Sequence, residues 1–252
     1  MIETKKYSTI MSQILKEGSC QGYKIVKSKV QKGSFLRTYD PQQGRLTKDV
    51  FDSDFPTVRL TCKEDIWMSD TPLEQESYKP AVEKARGDVL ICGLGIGLLP
   101  TLIKDKPEVK HIDIVEISKC VIKLVWEQIR TPKMEIIHAD AWKYLAESPK
   151  KYDFIHIDVW GSITAPILEV KKAREAALKC LKPNGQVHCW LQELYDRIIS
   201  KLPKKAGFPT ARAGFHDPCL ICGKTLRNDY AGLCMDCADG IGLSEIFMET
   251  QT

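Results

Sequence analysis

Val89-Leu90-Ile91-Cys92-Gly93-Leu94-Gly95-Ile96-Gly97-Leu98 is an apolar run of strand length that breaks into alternating glycines. Unbroken apolar character suits a strand covered on both faces, and glycine lets a backbone turn sharply and approach a ligand with no Cβ in the way. A dinucleotide fingerprint asks for a further glycine at position 98, which is Leu98, and a nucleotide P-loop asks for Gly-Lys-Ser/Thr, which is absent. The turn therefore favours close ligand approach but carries neither phosphate signature.

Downstream, strand-length apolar runs alternate with helix-length amphipathic segments. Strands are expected at Asp88 to Cys92, His111 to Ile117, Met134 to Ala139, Tyr152 to Asp158 and Gln186 to Leu191. Helical spacing is clearest over Ser118 to Arg130 (Val121, Leu124, Val125, Ile129) and Ile167 to Leu181 (Val170, Ala173, Ala177, Leu178, Leu181). This alternation predicts an α/β fold with a doubly wound, mostly parallel, Rossmann-like sheet. Upstream, Tyr7, Ile10, Met11, Ile14 and Leu15 predict an amphipathic helix within the first 20 or so residues, with Gly18 as its stop. Alternating runs from Tyr23 to Cys62, with turn chemistry at Asp40-Pro41-Gln42-Gln43-Gly44, predict a small antiparallel β region. The expected organisation is 1–70 for the N-terminal helix and β region, 71–205 for a ligand-binding catalytic domain, and 206–252 for a C-terminal module.

Three strands are expected to end in acids: Val115-Glu116, His138-Ala139-Asp140-Ala141 and His156-Ile157-Asp158-Val159-Trp160. Carboxylates at successive strand tips converge on the crevice where open α/β sheets bind ligands, and one beside the glycine turn can accept ribose hydroxyls. Blander readings stand beside these: a tight strand-helix turn at Gly93 to Gly97, a helix cap at Asp140, a positioning rather than proton-accepting Asp158, and packing by Trp160. His138, His156 and His188 lie in apolar strands and read as core residues, with no metal site following from them.

On the Gly93/Gly95/Gly97 loop, Glu116, Asp140-Ala141, Tyr152-Asp153 leading to Asp158, and Leu181-Lys182-Pro183-Asn184-Gly185, the chain resembles the class I S-adenosylmethionine-dependent methyltransferases over roughly Pro72 to Leu202. The resemblance implies S-adenosylmethionine as cofactor, held by Gly93, Leu94, Gly95, Gly97, Glu116, Asp140, Ala141 and Asp158. Glu116 would take the ribose and Asp140 the adenine amine. Thr57 to Tyr78, with Met68-Ser69-Asp70-Thr71, is similar to the spermidine synthase arrangement, and Asp70 is a candidate substrate-binding residue; at the fourth strand's end Asp158 is the candidate catalytic residue that takes a proton, and Trp160, just past it, a candidate wall of the acceptor pocket. That family continues its fourth strand as Asp-Ser-Ser-Asp-Pro, whereas this chain reads Asp158-Val159-Trp160-Gly161-Ser162 and lacks the second acid. Methyl transfer to an unidentified acceptor is the leading expectation. Aminopropyl transfer from the decarboxylated cofactor is the alternative, and a non-catalytic scaffold is the third reading.

Cys219-Leu-Ile-Cys222 and Cys234-Met-Asp-Cys237 offer four thiolates at zinc-ribbon spacing, so Cys219, Cys222, Cys234 and Cys237 are expected to hold a structural Zn²⁺. Its flank carries Lys201, Lys204, Lys205, Arg212, Lys224 and Arg227, a surface suited to nucleic-acid phosphates. Cys20, Cys62, Cys92, Cys120, Cys180 and Cys189 are isolated and read as reduced core residues of a cytoplasmic protein. With 252 residues, 43% hydrophobic content and a net charge of +4, the chain has material for one enzyme-sized core plus an appendage. No stretch approaches a membrane span, so no membrane partner is expected; the sequence sets no oligomeric state.

Overall fold

A computed structural model describes residues 1–201 except 43, 44, 64 and 161–166. Its centre is a five-stranded, all-parallel sheet of β7 (Gly87–Cys92), β8 (Val109–Glu116), β9 (Met134–His138), β10 (Tyr152–Ile157) and β11 (Leu181–Cys189). The spatial order is β11-β10-β7-β8-β9, so the chain reverses direction across the sheet between β7 and β10. Helices α3 (Leu98–Ile103), α4 (Lys119–Ile129), α5 (Ala141–Glu147) and α6 (Ile167–Leu178) are the crossovers, and α7 (Gln192–Lys201) follows the last strand. Val89 to Cys92 are all buried, as a central strand covered on both faces requires.

Helix α4 begins at an N-cap, where Ser118 Oγ accepts from Val121 N, and buries Val121, Leu124, Val125 and Ile129 as their spacing predicts. Helix α6 buries Val170, Ala173 and Ala177 but stops early. Leu178 is exposed, and Leu181 opens β11 instead of closing the helix. The strand reaches back this far because Leu181 already pairs with Tyr152.

Ahead of the parallel sheet stand a four-stranded antiparallel sheet, in the order β1-β2-β5-β6, and a β3-β4 hairpin. Their ranges are β1 (Gly18–Cys20), β2 (Tyr23–Val30), β3 (Phe35–Asp40), β4 (Arg45–Val50), β5 (Phe55–Cys62) and β6 (Asp65–Ser69). Helix α2 (Pro72–Lys84) joins this region to β7. The predicted N-terminal helix shrinks to a 3₁₀ turn, Thr4–Lys6, and α1, Ile10–Ile14; Gly18 opens a strand instead of stopping a helix. Packing decides this: Met11 and Leu15 are buried against the main core, which fixes one turn of helix.

Two further expectations are corrected. Cys20 and Cys120 are joined by a disulfide, their Cα atoms 5.4 Å apart, because β1 docks on the start of α4; Cys62, Cys92, Cys180 and Cys189 are free. His156 and His188 are fully buried, but His138 is exposed, because β9 is the edge strand. No helix among the described residues is long and apolar enough to cross a membrane. Cys219, Cys222, Cys234 and Cys237 and the basic residues around them, save Lys201, lie outside the described residues.

Candidate active site

Beyond the carboxyl ends of β7, β8, β9 and β10 lies a cleft of about 640 Å³. Its back is the glycine turn. Gly93 has φ +99°, and a Cβ there would stand 2.1 Å from the carbonyl oxygen of Asp158, so the turn after β7 can lie against β10 only with glycine at this position. Gly95, at φ +52°, would drive a Cβ to 2.1 Å from Met68 Sδ, and that thioether already accepts a hydrogen bond from Ile96 N at 3.3 Å. Met68, at the end of β6, thus reaches from the antiparallel sheet into the turn.

Glu116 ends β8, as predicted, and both of its oxygens are engaged. Oε2 accepts from Leu94 N at 2.9 Å and Oε1 from Ser118 N at 2.7 Å. These bonds fix the carboxylate beside the glycine turn, and each oxygen keeps a lone pair for a ligand hydroxyl. Asp140 caps α5: its Oδ1 accepts from Trp142 N at 2.7 Å and Lys143 N at 3.4 Å, so the capping reading holds. Its carboxylate still lines the cleft, together with Ala141 and Trp142. Gly97 is the left-handed N-cap of α3 and packs on Ile129 and Val125, behind the cleft.

Asp158 follows β10, its amide tied to Cys92 O at 2.9 Å, and its Oδ2 accepts from the Tyr78 hydroxyl. Burial pushes its carboxyl up to about 6, helped by the charge of Glu116 and opposed by the Tyr78 bond. Beside it stands Glu74, which sequence reasoning missed. Desolvation and the Asp158 charge push Glu74 up to about 8, while the Trp190 indole holds it back by donating to Oε2 at 3.2 Å. Trp190 Nε1 also lies 2.9 Å from Ser77 Oγ. Burial and the neighbouring charges of Asp158 and Glu74 hold the Tyr78 hydroxyl well above the usual phenol range, so it remains a donor. Met68, Glu74, Tyr78 and Trp190 come from elements outside the glycine-strand pattern. The available signal was Glu74, Ser77, Tyr78 and Ala81 at i, i+3, i+4 and i+7, which sets an acid on the inward stripe of α2.

Trp160 lines the cleft and is half-buried, with an indole N–H that has no partner among the described residues. Asp70 does not line it. Asp70 is fully buried and turned inward, accepting from Thr57 Oγ1 at 2.6 Å and Val58 N at 2.9 Å, because β6 ends against β5. Its part in the chain is therefore to fasten the β6-α2 junction. The cleft brings together Gly93, Leu94, Gly95, Glu116, Asp140, Ala141, Asp158 and Trp160 and leaves Asp70 and Gly97 behind its walls.

The lining has one electrostatic sign. Among the described residues it holds the carboxylates Glu74, Glu116, Asp140 and Asp158 and the aromatic rings Tyr23, Trp67, Tyr78, Trp142, Trp160 and Trp190, with no lysine, arginine or histidine. Carboxylates and ring faces both attract cations, and the low-dielectric walls strengthen that attraction.

No protein-family model matches the chain. Among curated proteins, polyamine aminopropyltransferase 1 of Streptomyces coelicolor is 26% identical over 147 residues, covering 52% of this chain and 28% of that protein. The polyamine aminopropyltransferase of Thermoanaerobacter sp. strain X514 is 26% identical over 137 residues, covering 50% of each. The chain thus spans half or less of the length of these curated relatives. Among solved structures, spermidine synthase from Thermotoga maritima aligns with a TM-score of 0.43 at 16% identity, covering 68% of this chain and 70% of that one. The N-methyltransferase NodS from Bradyrhizobium japonicum aligns at 0.38 and 16%, covering 48% and 68%.

Proposed function

We propose that the chain transfers an alkyl group from an adenosyl sulfonium to an amine, and that aminopropyl transfer from decarboxylated S-adenosylmethionine is the form the cleft supports best. One observation carries the reading: four acidic side chains, of which Glu74 ionises as a cation enters, and six aromatic rings face the cavity with no basic side chain among the described residues. Sulfonium, aminopropyl ammonium and acceptor amine are all cationic at neutral pH, and such a lining attracts each of them. An intact methionine carboxylate would meet a cleft of its own charge. The similarity to polyamine aminopropyltransferases supports the same choice.

In this reading Leu94 and the glycines pass close to the donor, Glu116 accepts its ribose hydroxyls, and Asp140 faces the adenine amine. Glu74 and Asp158 hold ammonium groups, and an entering cation favours ionisation of both. Asp158 first takes a proton from the acceptor ammonium, and the freed nitrogen lone pair attacks the carbon next to sulfur as the C–N bond forms and the C–S bond breaks. The electron pair of the broken bond leaves with sulfur as a neutral thioether, and the alkylated nitrogen carries the positive charge. With its carboxyl near 6, Asp158 is ionised at neutral pH yet basic enough to accept that proton. Trp160 and Trp190 wall the acceptor side and exclude water.

Methyl transfer is the second reading. It is favoured by the sequence after Asp158, where Trp160-Gly161 provides no second acid for a diamine. Incubation with each donor and a panel of amines, followed by chromatography, separates the two. Methylthioadenosine as product supports aminopropyl transfer, S-adenosylhomocysteine supports methyl transfer, and neither product with folded protein refutes both. The resemblance of Cys219, Cys222, Cys234 and Cys237 to a zinc ribbon supports a structural Zn²⁺ in the C-terminal module, and metal analysis of chelator-free protein tests it.

A further inference from the structure

Near the end of the sheet away from the cleft, three metal-ligating side chains share one face. His111 and Asp113 stand two apart on β8, and Glu135 on β9 is the cross-strand partner of Asp113, so the pleat points all three the same way. His111 Nε2 lies 2.8 Å from Asp113 Oδ1 and 3.8 Å from Glu135 Oε2, and the three ligand atoms all fall within 4.8 Å of one another. Tetrahedral zinc with bonds of about 2.1 Å to nitrogen and oxygen needs ligand atoms about 3.4 Å apart, so the 2.8 Å His111–Asp113 hydrogen bond must open by about 0.6 Å and the 3.8 Å His111–Glu135 pair close by about 0.4 Å as the ion enters. We propose that His111, Asp113 and Glu135 form a binding site for one zinc-class divalent ion, with water completing the coordination.

The surroundings suit this assignment. Asp113 is fully buried, and its other oxygen, Oδ2, accepts from Tyr152 OH at 2.7 Å and pairs with Lys150 Nζ at 2.5 Å. These partners pin the carboxylate through Oδ2, as hydrogen bonds behind a ligand commonly do, while Oδ1 faces His111 Nε2 in a 2.8 Å hydrogen bond whose proton the ion would replace. His111 is about one-third exposed and Glu135 about two-thirds, which provides an entry path and room for water. With neutral imidazole, Glu135 and Asp113 against Lys150 leave a net charge of −1 before the ion enters. An imidazole with only two carboxylates suits zinc, cobalt or nickel better than magnesium or calcium, which prefer all-oxygen shells. The ion would tie edge strand β9 to β8 and so strengthen the sheet's open side. It plays no part in the transfer proposed for the cleft.

Equilibrium dialysis of chelator-stripped, full-length protein against zinc at neutral pH tests the site. The double variant His111→Asn/Glu135→Gln is expected to bind one equivalent fewer than wild type, and zinc taken up by the C-terminal cysteines cancels in that difference. With cobalt, the wild-type-minus-variant spectrum should show weak visible bands and no thiolate charge-transfer absorption. Glu135→Gln alone, near-isosteric at an exposed position, should weaken this equivalent about tenfold or more and keeps the test open if the double variant misfolds. Equal stoichiometry and affinity in wild type and Glu135→Gln, or in wild type and a folded double variant, would overturn the proposal.

Discussion

The hydroxyl of Tyr78, on α2, is the hydrogen-bond donor to Asp158 Oδ2, at the tip of β10. The bond joins the helix before the parallel sheet to the proposed proton acceptor, and it favours the ionised form of a carboxyl that burial pushes up to about 6. In Tyr78→Phe that support is gone. Activity should then fall on a more alkaline acid limb, displaced upward by about one pH unit, because a hydrogen bond to a charged group contributes about 1.5 kcal/mol or more. The pH dependence of kcat/KM reads the displacement; an unmoved limb would separate Asp158 ionisation from the rate.

Glu74 gives the ligand-free protein a stability that declines with pH. Its carboxyl is raised from 4.5 to about 8 in the folded chain, so between these values the folded state binds more protons than the unfolded state. Stability is therefore lost as pH rises through this window, with the full penalty present above about 8. Glu74→Gln should flatten the decline and melt higher than wild type at alkaline pH, yet bind the cationic donor more weakly. Thermal melts across pH with and without donor test both effects.

Gly93 and Gly95 both hold positive φ, but an added methyl meets different neighbours. At Gly93 it strikes the Asp158 carbonyl oxygen, a backbone atom, whereas at Gly95 it strikes Met68 Sδ, the movable end of a side chain. Gly93→Ala should cost about 3 kcal/mol or more, and Gly95→Ala about 1–2 kcal/mol. Denaturant titration of the two variants should preserve that order.

The Cys20–Cys120 disulfide closes a loop of 100 residues. Cys20→Ser/Cys120→Ser, or reduction of wild type, should lower stability by about 2–4 kcal/mol, because the unfolded chain regains the freedom that the cross-link removed. Alkylation of non-reduced protein, read by mass spectrometry, should leave these two cysteines unlabelled.

The parallel sheet was legible in the sequence because its strands are continuous apolar runs. Glu116, Asp140 and Asp158 were legible because strand tips recur at the same edge of such a sheet. Glu74, Tyr78, Trp190 and Met68 were not, since they enter from α2, the turn after β11 and a separate antiparallel sheet. Their convergence on the cleft is a product of tertiary packing that no local spacing encodes. Asp70 shows the converse: an acid in a suggestive stretch is claimed by Thr57 and Val58 once β5 and β6 pair. The disulfide was hidden for the same reason, its two sulfurs being neighbours only after β1 docks on α4.

Met68 gives the antiparallel sheet its lasting significance. Through one thioether, which receives the Ile96 amide and fills the hollow over Gly95, a strand formed early in the chain completes a turn made nearly thirty residues later. The leading region is therefore masonry shared with the cleft wall at the glycine turn, and a chain trimmed to begin at α2 would leave that wall open to water.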